Sequence, residues 1–313
     1  AARTGLSPLA AANHASKQEI NTMSKITRRR FLAGAAAAAG AVTFARPALR
    51  AAEAARSPVK SGADIVTLGK TGIKTSVLGI GTGTFGGREQ RNMGKEGFSR
   101  LVHHAYGLGI RYIDTADGYK THDYVREAIA GLPRSELFIQ TKTRAKDAQA
   151  ARDDIERFRR ELGIEQLDTV LMHCMTKGSW PVDMRPVMDV LAEAKQKGRV
   201  RAVGVSCHGW DPLVASADLD EWMDVHLVRI NPQGKLMDAE PEKVAAQIEK
   251  MAAKQRGVLG MKIYGEGAFK TREERLASLK YVLGLGTVHA FTIGFSDTRQ
   301  IDETLELIRQ AAA

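Results

Sequence analysis

A chain of 313 residues with 43% hydrophobic content is long enough for one large domain or two ordinary ones and rules out global disorder. Its formal net charge of +10 invites a nucleic-acid role, but residues 1–60 hold ten Lys/Arg against two acids. The rest carries 36 basic and 34 acidic residues, so the folded body is near neutral and a nucleic-acid partner has no support.

The basic start is readable as a leader. Met23 is followed by Ser-Lys-Ile-Thr and then Arg28-Arg29-Arg30-Phe31-Leu32. A weakly apolar Ala/Gly run reaches Ala45, and small residues including Ala52-Glu53-Ala54 come after Arg46 and Pro47. A charged n-region, a short h-region and an A-x-A site make a secretory signal, and twin arginines before Phe-Leu are similar to a Tat export signal. At about 15 residues the apolar run is too short for a membrane span. Residues 1–60 are therefore expected to be a leader with Met23 as the natural start, and 61–313 the folded body. The expected location is the periplasm or cell envelope, reached through the Tat translocon. A basic amphipathic or disordered tail is the alternative.

In the body, Ile65–Leu68 and Ile73–Ser76 flank Gly69-Lys-Thr-Gly72 and predict a small hairpin. Short apolar runs then predict eight strands: Val77–Ile80, Tyr112–Asp114, Leu137–Thr141, Thr169–His173, Val203–Ser206, Val225–Ile230, Val258–Lys262 and Ala290–Gly294. Between them, apolar residues recur at helical spacing over Ser99–Leu108, Thr121–Gly131, Ala148–Leu162 and Met184–Gly198. The same holds for Pro212–Ala217, Pro241–Lys254, Arg272–Leu283 and Arg299–Gln310. Eight strands alternating with eight helices predict an α/β fold, a (β/α)8 TIM barrel with an N-terminal capping β-hairpin. A doubly wound sheet is the rival, but it needs a Gly-rich phosphate turn opening a helix. The Gly-rich run Gly79–Gly87 shows no convincing helix at its end.

In a barrel, the chemistry sits at the C-terminal ends of the strands. Asp114 ends the second strand, Lys142 the third, His173 the fourth and Ser206 the fifth, while Tyr119 lies in the loop after the second. Taken singly, these read as a turn cap, a solvated lysine, a core histidine and a loop aromatic. Together they make a proton-transfer set. A lysine ammonium favours phenolate and lowers a tyrosine pKa, a carboxylate keeps the lysine charged, and an imidazole hydrogen-bonds a carbonyl. None of them donates hydride, so a reduction requires a cofactor. Two cysteines, Cys174 and Cys207, are too few for a disulfide framework or a four-ligand metal site, though a bridge between them after export stays open.

These motifs resemble the aldo-keto reductase family. The resemblance runs from about Asp64 to Gln310 and includes Leu78-Gly-Ile-Gly-Thr-Gly-Thr84, Arg111-Tyr-Ile-Asp-Thr-Ala-Asp-Gly-Tyr119, Thr141-Lys-Thr143, Leu171-Met-His173 and Val203-Gly-Val-Ser206. It implies a barrel that binds NADP(H), with NAD(H) as the alternative, and that interconverts a small carbonyl compound and its alcohol. Tyr119 is then the proton donor, Asp114 and Lys142 tune its pKa, and His173 orients the carbonyl. Thr84, Ser206, Cys207, Met261, Lys262, Ser296, Arg299, Gln300 and Glu303 are implied in cofactor binding, and Phe85 in the substrate pocket. Trp180 joins Phe85 as a loop aromatic expected at the barrel mouth. The sequence departs from the family at several places, among them Leu227–Asn231, which lacks the usual Gln of the sixth strand, and Lys120-Thr-His-Asp123, which follows Tyr119 where Gly and then Glu are usual. Cys207 stands where Asn is common, Met261 where an aromatic stacks on the nicotinamide, and Gly294-Phe295 where a Lys-Ser pair meets the 2′-phosphate. An exported enzyme meets little free NADPH, which points to a tightly held cofactor or a redox partner. The alternatives are a non-catalytic cofactor- or partner-binding barrel and a metal-dependent hydrolase using His173 and Asp114.

Overall fold

The computed structural model describes residues 58–313. The twin arginines, Met23 and the cleavage site lie outside the described residues.

Strands β1 (Ile65–Thr67) and β2 (Lys74–Ser76) pair antiparallel as the expected hairpin, turned by a 3-10 turn over Gly69–Thr71. The eight following strands all pair in parallel and close on themselves. They are β3 (Leu78–Gly81), β4 (Tyr112–Asp114), β5 (Phe138–Thr143), β6 (Leu167–Met175), β7 (Val200–Cys207), β8 (Val225–Arg229), β9 (Gly257–Met261) and β10 (Ala290–Ile293). Around the ring β10 lies beside β3, and β9 closes the circle. The fold is a (β/α)8 TIM barrel. No helix among the described residues is long and apolar enough to cross a membrane.

Strand alternation organises everything inside. Tyr112, Phe138, Leu171, Ala202, Val225, Leu227, Leu259 and Ala290 fill the lower barrel, and Leu68 and Ile73 of the hairpin join them as the plug of its floor. The hairpin is tied down where Lys70 N–H donates to Gln255 C=O at 2.8 Å. The neighbouring residues of each strand, such as Ile113, Ile139 and Val203, point outward and pack under the helices. Two residues above the floor the interior turns polar, with Asp114 above Tyr112 and Gln140 then Lys142 above Phe138.

The helices follow the expected pattern with shifted ends. Ala148–Leu162 begins at Asp147, whose carboxylate accepts from Ala150 N–H, and ends at Gly163 in the left-handed region, where glycine carries no Cβ penalty. Two short helices were not expected from the sequence. Arg88–Asn92 does follow the Gly-rich run directly, with Gly87 at φ +86 as its N-cap. At five residues it has too little periodicity to be seen in sequence. Trp180–Asp183 is the other.

Asp168 shows how the lower rim is held. It is 1% exposed. Its carboxylate accepts from Ile139 N–H at 2.8 Å, from Arg134 Nη2 at 2.7 Å and from Arg201 Nη1 at 2.8 Å, joining three neighbouring strands. Asp168→Ala leaves a buried N–H without an acceptor and is expected to cost about 1–3 kcal/mol. A lower urea midpoint at unchanged m-value would show it, and an unchanged midpoint would remove Asp168 from the barrel's support.

Candidate functional site

Closure of the barrel brings the polar strand ends to one mouth, where a cleft of about 490 Å³ opens. Its walls include Thr84, Phe85, Asp114, Tyr119, Lys142 and His173. Such a volume suits a bound small molecule.

The centre of the site is an ion pair. Lys142 Nζ lies 2.6 Å from Asp114 Oδ1 and 2.8 Å from the carbonyl oxygen of Thr115, and both side chains are almost fully buried. Gln140 Nε2 donates to the same Asp114 oxygen at 2.7 Å and to the Tyr112 hydroxyl at 3.0 Å. Burial works against the Lys142 charge, but Asp114 and Tyr119 together more than offset it, so its pKa is raised. Lys142 stays an ammonium.

Tyr119 stands over this ammonium, with Lys142 Nζ 4.9 Å from its ring centroid, and meets the His173 ring edge-on at 5.5 Å. Burial pushes the Tyr119 pKa above its ordinary 10.0, although Lys142 pulls it down. Lys142 thus acts in the expected direction, but burial outweighs it. The low dielectric that strengthens the ammonium's pull penalises the phenolate more. His173 moves the opposite way, down to about 2, through burial first and then the charges of Lys142 and Arg144. It is a neutral imidazole, and its Nδ1 has no partner among the described residues.

The loop carrying Tyr119 is clamped from several directions. A Cβ on Gly83 would lie 2.6 Å from the Tyr119 ring, so only glycine lets that backbone pass. Arg91, on the short Arg88–Asn92 helix, donates to the carbonyl oxygens of Tyr119 and Gly86. Thr121 Oγ1 bonds Thr82 Oγ1 at 2.9 Å and Thr115 Oγ1 at 3.0 Å. Arg157 grips Asp117 Oδ1 at 2.8 Å and also holds Asp154 and Glu161. His122 is buried beside them, bonded to Glu161 at 2.7 Å and Thr141 at 2.8 Å.

The remaining expected residues divide. Ser206, Met261, Lys262, Ser296 and Gln300 line the cleft. Phe85 also lines it and is 55% exposed. Glu303 reaches it only through Arg275, a lining residue that it pairs with at 3.0 Å. Arg299 does not line it; its side chain is 90% exposed and near Asp297. Cys207 also fails to reach it. Alternation turns the residue after Ser206 outward, and its thiol donates to Pro212 C=O at 3.3 Å. Burial raises that thiol to about 12. Both Cys174 and Cys207 are free. Trp180 is only 2% exposed, donates to Pro212 C=O at 3.2 Å and packs near Trp222. It is a core residue, and the pocket role expected for it does not hold.

Arg144, His208, Tyr264, Arg275 and Thr292 line the cleft without having been singled out from the sequence. Two of them were within reach, since Arg144 is two residues beyond Lys142 and His208 two beyond Ser206 on the same parity.

The cleft walls also fit a phosphorylated dinucleotide. A Cβ on Gly81 would sit 2.7 Å from Thr292 Oγ1, and one on Gly294 would collide with Thr84, so two glycines keep this wall open. Thr292 Oγ1 is buried with no partner among the described residues. Lys262, Lys270 and Arg275 supply cations from the segment after β9. By contrast, no group of three or more His, Cys, Asp or Glu among the described residues could hold a metal ion. Asp114, the carboxylate such a site would use, is engaged by Lys142 and Gln140.

The Aldo/keto reductase family profile matches residues 77–309. An aldo-keto reductase of Mycobacterium avium (strain 104) is 32% identical over 183 residues, which covers 56% of this chain and 58% of the relative. The chain thus matches little more than half the length of that curated relative. A solved aldo-keto reductase structure from Pseudomonas aeruginosa has a TM-score of 0.69 at 23% identity, covering 82% of this chain and 99% of that one. The holo form of an aldo-keto reductase from Bacillus halodurans has a TM-score of 0.62 at 16% identity, covering 80% and 95%. At these identities the structural likeness speaks for the fold alone.

The buried imidazoles set an acid limit on stability. The ordinary histidine pKa is 6.5, whereas His173 titrates near 2 and His208 near 4, and burial holds His226 well below 6.5. Below pH 6.5 the unfolded chain takes up protons that the native state refuses. The stabilisation is therefore complete above that pH and lost as pH falls, by up to about 1.4 kcal/mol per pH unit for each such histidine. Urea titrations between pH 7 and 4.5 are expected to show this slope, and His173→Gln to flatten it. Equal slopes would mean that His173 is not held neutral.

Proposed function

We propose, because the chain belongs to the aldo/keto reductase family, that it reduces a small aldehyde or ketone to the alcohol with Tyr119 as general acid. The observation that supports this most is the meeting of Tyr119, Lys142, Asp114 and His173 in one cleft.

The raised pKa of Tyr119 keeps its hydroxyl protonated at neutral pH. The phenol donates that proton to the carbonyl oxygen, and Lys142 then stabilises the phenolate that remains. Asp114 and Gln140 keep the ammonium charged and aimed. His173, being neutral, donates a ring N–H to the same carbonyl oxygen and leaves no second positive charge beside Lys142. NADPH, when bound, supplies the hydride for the carbonyl carbon, and NADH is the alternative. Ser206 and Met261 would hold its nicotinamide end. Thr84, Thr292, Lys262, Lys270 and Arg275 would meet the pyrophosphate, and Ser296 and Gln300 the adenine end.

Tyr119→Phe is expected to lower kcat by about a hundred- to ten-thousand-fold, while NADPH still quenches the protein's fluorescence. Equal turnover in both proteins would remove Tyr119 from the reaction. Because the phenol pKa lies above 10.0, reduction by the wild type should hold its rate from about pH 6 to 9.

The leader supports a further part of this proposal, export through the Tat pathway. That route carries folded proteins, so a cofactor bound before export would travel with the barrel. In a Tat-competent host the protein is expected in the periplasm, and replacing Arg28, Arg29 and Arg30 with Lys is expected to retain it in the cytoplasm. Equal fractionation of the two would overturn the export reading.

A further inference from the structure

We infer that the carbonyl compound this site takes is itself an anion, a short aldehyde or ketone bearing a carboxylate, and that Arg144 receives that carboxylate. The inference rests on the reductase reading for the identity of the reacting group. The place of Arg144 stands on geometry.

The charges lining the cleft are mostly paired. Lys142 holds Asp114 at 2.6 Å, Lys262 holds Glu266 at 2.9 Å, and Arg275 holds Glu303 at 3.0 Å. Among the described residues, two lining cations have no carboxylate within 4 Å: Arg144 and Lys270. They enter from opposite sides. Arg144 follows β5 and Lys270 follows β9, and these strands stand four places apart in a ring of eight. The β9 side carries the lysines and arginine suited to a dinucleotide's phosphates. Arg144 belongs to the other side, with the proton donor.

Its position there is specific. The guanidinium lies over Gly118, the residue before Tyr119, where a Cβ would sit 3.2 Å from Arg144 Cζ. Its charge contributes to the depressed pKa of both His173 and His208. A planar fork of donors fits a carboxylate through two parallel hydrogen bonds, and a single guanidinium matches a single negative charge. Glu89 lines the mouth from the β3 side, two strands from β5, and does not neutralise Arg144. A substrate held by Tyr119 and His173 at its carbonyl thus finds, beside the same loop, a cation without a carboxylate partner.

The test compares pairs that differ by the carboxylate in wild type and Arg144→Met: 4-oxobutanoate against butanal, and 2-carboxybenzaldehyde against benzaldehyde, each with NADPH. The wild-type ratio of kcat/KM, carboxylated over uncharged, is expected to be at least about tenfold. It should collapse towards one in Arg144→Met and be partly kept in Arg144→Lys. A wild-type ratio near one, or a ratio unchanged by Arg144→Met, overturns the inference. So does a loss that appears as weaker NADPH binding by fluorescence, which would assign Arg144 to a cofactor phosphate. If the wild type turns over neither member of a pair, the reductase reading fails. Calorimetry with 4-hydroxybutanoate then still decides the role of Arg144. Binding that weakens at least about tenfold in Arg144→Met supports it, and absence of binding to the wild type overturns it.

Discussion

The Lys142 ammonium and the Asp114 carboxylate meet at 2.6 Å with almost no water around them. Removing two charges from water is costly, and attraction alone seldom offsets it. Here further hydrogen bonds support the pair. Gln140 donates to the carboxylate and the Thr115 carbonyl accepts from the ammonium. The pair also sits across adjacent strands, β4 and β5, whose register places Asp114 opposite Gln140. Strand pairing therefore brings the two charges together, and they in turn fix the start of the loop that carries Tyr119. Removing either member would leave an unpaired charge in the polar upper layer of the barrel interior.

What surrounds that loop is unusual in detail and consistent in effect. After Tyr119 the chain runs Lys-Thr-His-Asp, and Lys120 takes a left-handed conformation at φ +55. Thr121 uses the turn to bond two other threonines, and His122 drops into a buried contact with Glu161 and Thr141. Together with Arg91 and Arg157, this makes a phenol position set by several independent contacts. Preorganisation of this kind lets a donor act without first being gathered from a mobile loop. The raised phenol pKa has a separate cause, since the partly buried surroundings of the ring penalise the phenolate.

The strands were legible because each is an apolar run between glycines or polar turns, and Tyr112–Asp114 matched the structure residue for residue. The ends were less so. β5 runs on to Thr143 and β6 to Met175 because their neighbours supply backbone partners there, which composition does not encode. Alternation also bears on which side chains enter the cleft. It places Ser206 inward and Cys207 outward, and it marks Arg144 and His208 as continuations of the two inward rows. Trp180 was misplaced for a different reason. A large aromatic between a strand and a helix reads as a loop residue, whereas partners distant in sequence, Pro212 and Trp222 among them, place it in the core.

The sequence by itself determined the alternation of strands and helices, the barrel it implies, and the order of Asp114, Tyr119, Lys142 and His173 along it. These are local properties, since period and residue type survive without knowledge of neighbours. The tertiary structure decided the rest. It decided which charges are partnered, that burial outweighs Lys142 at Tyr119, that His173 is held neutral, and that Arg144 stands without a carboxylate beside Tyr119's loop. Those depend on distance and on the exclusion of water, and neither exists until the eight strands have closed.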